Sequence, residues 1–211
     1  MIDKLAFSAL FICLAAGAQT PPIPEWHRAG LKPEAYEFNL DRDTFHSGHA
    51  SAMIRCRERH CPPFATLMQT IQSDEYQGRR VRLSGWVKAT KGVSARLWMR
   101  VDGEDGGLLT FDNMGHRYKN GPFEWTRQEI VLDVMPPAAL INYGLLVDGG
   151  GTGWVDDLVL EVVEPKVKST NMMQGPGPEG NRQWVRKTYN ASKPRPVNLD
   201  FEQVSVPEGR P

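Results

Sequence analysis

From Tyr36 to Val163 the chain shows repeated short runs in which apolar and polar side chains alternate, separated by glycine-rich turns. The runs cover residues 51–55, 66–72, 79–89, 95–101, 108–111, 128–134, 141–147 and 154–163. Between them lie Gln77-Gly78, Asp102-Gly103, Asn120-Gly121-Pro122, Pro136-Pro137 and Asp148-Gly149-Gly150-Gly151. Neighbouring side chains on a strand point to opposite faces, so a two-residue period half-buries each run. Many short strands at this spacing predict an all-β sandwich or barrel. No stretch sustains a helical period, although residues 73–76 have room for one turn.

With 211 residues, the chain is sized for one domain with appendages. Its 25 Lys and Arg balance its 25 Asp and Glu. No overall field therefore draws it to nucleic acid or to an acidic membrane surface. Residues 1–18 read as a signal peptide. Lys4 precedes the apolar run 5–16, which is too short to span a bilayer as a helix, and Ala16-Gly17-Ala18 resembles a cleavage site. Asp3 is unusual for such a start. The expected location is the periplasm or the exterior, with no membrane span after cleavage. Removal of Cys13 with the leader leaves Cys56 and Cys61, an even pair in an oxidising compartment. We expect a disulfide. The alternative is a metal site using His49 or His60, for which four good ligands are not evident.

Composition divides the rest. Residues 19–30 are an entry segment, and 31–164 form the sandwich. Residues 165–196 are a linker or surface arm, since Pro176, Gly177, Pro178, Glu179 and Gly180 cannot support regular structure. Residues 197–211 begin with the strand-like Val197-Asn198-Leu199-Asp200-Phe201-Glu202.

Alternation sorts side chains by face. Val81, Leu83 and Val87 point inward, while Arg82, Ser84, Trp86 and Lys88 point outward. Likewise Leu97, Met99 and Val101 point inward, and Arg96, Trp98 and Arg100 outward. Two tryptophans thus share a polar register with arginines. Indole faces beside hydrogen-bonding groups suit a sugar ring. The expected ligand face is Gln69, Arg82, Trp86, Trp98 and Arg100. The plainer alternative leaves both indoles half-buried under a loop or under arginine. Asp112 with His116 reads as a polar turn rather than an acid–base pair, and no serine or cysteine nucleophile sits in a known elbow. Asp102, Glu104 and Asp105 read as a solvated hairpin tip, and Trp125 and Trp154 as core or turn-covering residues. Trp184 would anchor the arm.

Several motifs occur in order: the run 64–71; Tyr76-Gln77-Gly78 leading to Gly85; Leu97-Trp98-Met99-Arg100; Phe111-Asp112-Asn113-Met114; and Trp154-Val155-Asp156-Asp157. Over about residues 26–163 the chain resembles an exported bacterial domain, also found beside transcriptional regulators, that has no assigned activity. More distantly it is similar to galactose-binding-like jelly rolls, the fold of many carbohydrate-binding modules. The resemblance implies a jelly-roll-like antiparallel β-sandwich with an irregular C-terminal arm. It also implies a structural calcium held by Asp156 or Asp157 and Glu202, with carbonyls near Ser47 and Gly48. One departure stands out. The strand resembling Asn-Leu-Asp-Phe-Glu, which opens such domains, lies here at residues 198–202. Either the arm folds back to fill the missing edge-strand slot, or it begins a second module.

The expected function is non-catalytic binding, with carbohydrate as the leading ligand. A structural or protein-interaction module is the alternative, and an accessory fragment of a hydrolytic enzyme the third reading. The sequence offers no catalytic constellation.

Overall fold

A computed structural model describes residues 23–173 and 177–203. The expected signal peptide lies outside them. Among the described residues are ten strands and one α-helix, besides single 3-10 turns at Pro33–Ala35 and Asp74–Tyr76: β1 (His27–Gly30), β2 (Tyr36–Asp41), β3 (Ser51–Cys56), β4 (Ala65–Gln72), β5 (Arg79–Ala89), β6 (Val93–Gly103), β7 (Leu108–Asp112), β8 (Phe123–Val134), β9 (Ala138–Gly149), β10 (Thr152–Val163) and α1 (Arg182–Ala191). They form two antiparallel five-stranded sheets. The first has the order β1-β4-β9-β6-β7 and the second β2-β3-β10-β5-β8. This is the jelly-roll-like sandwich that the alternation predicts.

The inner faces meet in one apolar core. Leu97, Met99 and Val101 of β6 and Leu67 and Ile71 of β4 oppose Val81, Leu83 and Val87 of β5, with Ile130 and Leu132 of β8. All are sealed from solvent. Gly144 of β9 lies opposite Met68 of β4 and Trp98 of β6. A Cβ there would stand 2.0 Å from the Leu67 carbonyl oxygen, so only glycine permits this approach. Cys56 and Cys61 are disulfide-bonded at the end of β3, as expected.

The appendages are built into the fold, and residues 165–196 take the surface-arm form rather than the linker. The entry segment is structural: residues 27–30 pair with β4, and Trp26 is fully buried. The arm is not a loose linker. Thr170 N–H donates to the Val131 carbonyl, Met172 N–H to that of Phe111 and Gly177 N–H to that of Leu108. Strands β7 and β8 are the terminal strands of their sheets, and the arm runs along both. It thereby occupies backbone groups that an open edge would leave free. A helix follows that the periodicity did not announce, because Val185 is its one buried residue. Asn181 caps it by accepting from Trp184 N–H. Val185 packs on Ala139 and Leu140, with Trp184 and Tyr189 alongside.

The chain then returns to the sandwich. Phe201 is buried against Trp26, ring centroids 5.1 Å apart, and Trp26 meets Tyr143 edge-on at 6.0 Å. Trp26 Nε1–H donates to the Asn198 carbonyl at 3.0 Å. Leu158 N–H donates to the Leu199 carbonyl. The segment thus folds back rather than starting a separate module. It does so without forming a strand, because Asn198 (φ 51) and Phe201 (φ 57) are left-handed.

Replacing Phe201 by alanine should cost about 3–5 kcal/mol, the usual range for a fully buried phenylalanine. Urea unfolding would measure it. A loss well under about 1 kcal/mol would mean that the returning segment does not hold the core.

Candidate functional site

The structure separates the five residues expected on one ligand face. Gln69 points inward with Leu67 and Ile71. Its carboxamide is fully used: Oε1 accepts from Tyr143 Oη and Val197 N–H, and Nε2 donates to the Val197 and Glu25 carbonyls. It fastens both chain ends and cannot face a ligand. Arg82 and Trp86 lie on the outer face of the second sheet, Trp98 and Arg100 on the outer face of the first. Alternation assigns in or out along one strand, but not which sheet that strand joins.

On the second sheet, Arg82 is paired with Glu161 at 2.7 Å. Trp86 is covered by His46, whose ring stacks on it at 4.0 Å with an interplanar angle of 12°. Trp125 meets the same imidazole edge-on at 5.9 Å. Trp154 is outward-facing and donates from Nε1 to Asp41 Oδ2. Trp125 and Trp154 therefore belong to this outer face, not to the core.

On the first sheet, Trp98 is only 3% exposed. Ala29, Met68, Phe111 and Leu146 pack around it, and its Nε1–H donates to Thr66 Oγ1 at 2.7 Å. It is the floor of this face and not a free platform. Beside it runs a chain of polar side chains. Arg100 Nε donates to Asp102 Oδ1 at 2.6 Å, Asn142 Nδ2 to Asp102 Oδ2 at 2.7 Å, and Thr70 Oγ1 to Asn142 Oδ1 at 2.7 Å. Asp102 is fully buried rather than part of a solvated tip, because the outward register of β6 carries it onto this face beneath Arg100 and Asn142. Burial raises its pKa, while Arg100 and Asn142 oppose the shift. Helix α1 covers one end of the face by packing on Leu140. The other end carries Arg96, whose guanidinium lies 4.4 Å from the centroid of the Tyr118 ring. Sequence reading missed Asn142, Thr70 and Asp102. Each belongs to an outward register, so the cross-strand pairing was the missing information.

The expected calcium ligands are brought to one loop, but they do other work. β10 bulges between Asp156 and Val159, with Asp157 at φ 48. The bulge turns two consecutive carboxylates toward residues 46 and 47. Asp156 Oδ2 accepts from the backbone N–H groups of His46 (2.7 Å) and Ser47 (3.2 Å). Asp157 binds His46 Nδ1 and the Ser47 hydroxyl. Glu202 Oε1 accepts from the N–H groups of His49 (2.6 Å) and Ala50 (3.2 Å). Gly48 is left-handed (φ 66), which favours glycine, and a Cβ there would stand 2.2 Å from that oxygen and displace the Glu202 carboxylate. These carboxylates hold the loop by its amides, and among the described residues no three acidic, histidine or cysteine side chains converge on a common point. The arrangement does not fit a calcium ion, which needs six to eight oxygens turned inward. A depression of about 370 Å³ lies between this bulge and the returning segment, lined by Asp157, Leu158, Asn198 and Asp200 among others, without an aromatic wall.

Two outcomes follow for this clamp. Calcium and EDTA should leave the melting temperature equal, and a rise with calcium would restore the metal reading. Burial also pushes Asp156 up to about 6 from 3.8, against three backbone N–H groups that favour the charged form. The folded chain then holds this proton more tightly than the unfolded chain. This group's contribution to stability therefore grows as pH falls from about 6 toward 3.8 and is lost as pH rises through that window. Asp156→Asn should flatten the pH dependence of melting over that range, and an unchanged slope would refute the assignment.

No family model matches the chain. An uncharacterized HTH-type transcriptional regulator of Bacillus subtilis is 38% identical over 181 residues, 84% of this chain. The chain spans 56% of that relative's length. Among solved structures, a CBM22 xylan-binding domain from Paenibacillus barcinonensis superposes with a TM-score of 0.51 at 12% identity, covering 66% of this chain and 86% of that domain. A C-terminal family 22 carbohydrate-binding module from Clostridium thermocellum gives 0.52 at 14% identity, over 69% and 90% respectively. At such identities the likeness speaks to backbone architecture. The fold of this chain is therefore the jelly roll that carbohydrate-binding modules of family 22 also adopt.

Proposed function

We propose that the chain is a non-catalytic glycan-binding module whose ligand lies along the outer face of the first sheet. The observation that carries this reading is an ordered series beside Trp98 in which buried Asp102 and Asn142 hold the partly exposed Arg100 and Thr70 in place for a ligand. A sugar hydroxyl both donates and accepts, and its ring carries apolar C–H patches. Side chains already fixed by one another lose little freedom when a ligand arrives. Phe111 and Leu146, half-buried beside the indole, supply the apolar contact. The jelly roll shared with family 22 modules supports the reading. Export is part of it, since the Cys56–Cys61 disulfide belongs in an oxidising compartment. The likeness to a regulator favours a second reading, in which the same face senses a small sugar for a larger assembly. Preference for monosaccharides over oligosaccharides would separate the two.

Calorimetric titration with soluble xylan, galactan and glucan oligosaccharides tests the site. Phe111→Ala and Asn142→Ala should each weaken binding about tenfold or more, with folding checked by melting. Trp125→Ala, on the opposite face, should leave affinity unchanged. The reverse pattern would move the site to the second sheet.

A further inference from the structure

Arg96 sits two residues before Trp98 on β6, in the same outward register as Arg100. At about 3.3 Å per residue, the two arginines flank the indole at roughly 7 Å on either side. Their surroundings differ. Arg100 is neutralised by Asp102 at 2.6 Å. Arg96 is only 8% exposed, yet among the described residues no carboxylate lies within 4.0 Å of it. Its NH1 donates to Ser94 Oγ, Tyr118 covers its face, and its buried Nε has no partner among the described residues. Burial lowers its pKa, while the charge of Asp148 acts in the opposite sense. A guanidinium remains charged regardless.

A buried cation with no carboxylate in contact is costly, and a buried donor without an acceptor adds to that cost. Placed on the face already assigned to a ligand, such a group is an unfilled half of an ion pair. The geometry points to an acidic glycan as the ligand of that face, with a uronate carboxylate pairing with Arg96 while the neutral part of the sugar lies over Trp98 and the Arg100–Asn142 series. The planar edge of a guanidinium matches the two oxygens of a carboxylate, and the unpartnered Nε, itself sealed from solvent, is reached on a local shift of the Arg96 side chain. This inference rests on the glycan-binding reading and adds the charge of the ligand.

Polygalacturonate and glucuronoxylan fragments, each beside its carboxyl-reduced form, separate the two claims. At least one acid should bind about tenfold or more tightly than its reduced counterpart, a preference that added salt weakens. Arg96→Gln should erase the preference while retaining binding of the reduced sugar. If that variant does not fold, the wild-type ratio and its salt dependence decide alone. Equal affinity for acid and reduced forms would overturn the charge assignment and leave glycan binding standing. The charge assignment falls equally if Arg96→Gln, melting normally, keeps the preference. Absence of binding to every acidic, reduced and neutral glycan would overturn both.

Discussion

The contact of Trp26 with Phe201 is the interaction on which the arrangement of this chain depends. Two residues 175 positions apart, at 26 and 201, fill one end of the core that the ten strands leave to them. Gln69 explains how a polar side chain can serve there. Its carboxamide satisfies the peptide group of Val197 from both sides and receives the Tyr143 hydroxyl, so the returning backbone enters a buried region without orphaned polar groups. Once those residues are seated, the arm before them is committed to a path, and that path runs along the outermost strands of both sheets.

The sandwich itself was legible in the sequence. Eight runs of period two correspond to β3 through β10; the turns at Gln77-Gly78, Asn120-Gly121-Pro122 and Pro136-Pro137 fall between strands, whereas Asp102-Gly103 and Asp148-Gly149 end β6 and β9. What was not legible concerns elements whose order comes from tertiary contact rather than pattern. Residues 27–30 are too few to show alternation, and α1 buries only Val185, so neither announces itself. The returning segment carries a strand-like pattern, yet two left-handed residues keep it irregular.

The candidate site shows the same division. Outward orientation of Trp86, Trp98, Arg82 and Arg100 was correct strand by strand, but β5 and β6 belong to different sheets, so the arginines and indoles form two surfaces back to back. Gln69 read as part of a polar face because its neighbours alternate, whereas its partners come from residues 25 and 197. Asp156, Asp157 and Glu202 all reach the loop at residues 46–50. Their oxygens meet the amides of residues 46, 47, 49 and 50 and the side chains of His46 and Ser47, so hydrogen bonding fastens the loop.

The hydrogen bond from Trp26 to Asn198 has a mechanical meaning. Residues near both limits of the described fold are pinned to each other, so a pull on either limit is met first by this junction and only afterwards by the ladder of strands. A neighbour fused at one limit and a neighbour fused at the other would leave from a common anchorage, and load passing between them would bypass the outer face of the first sheet.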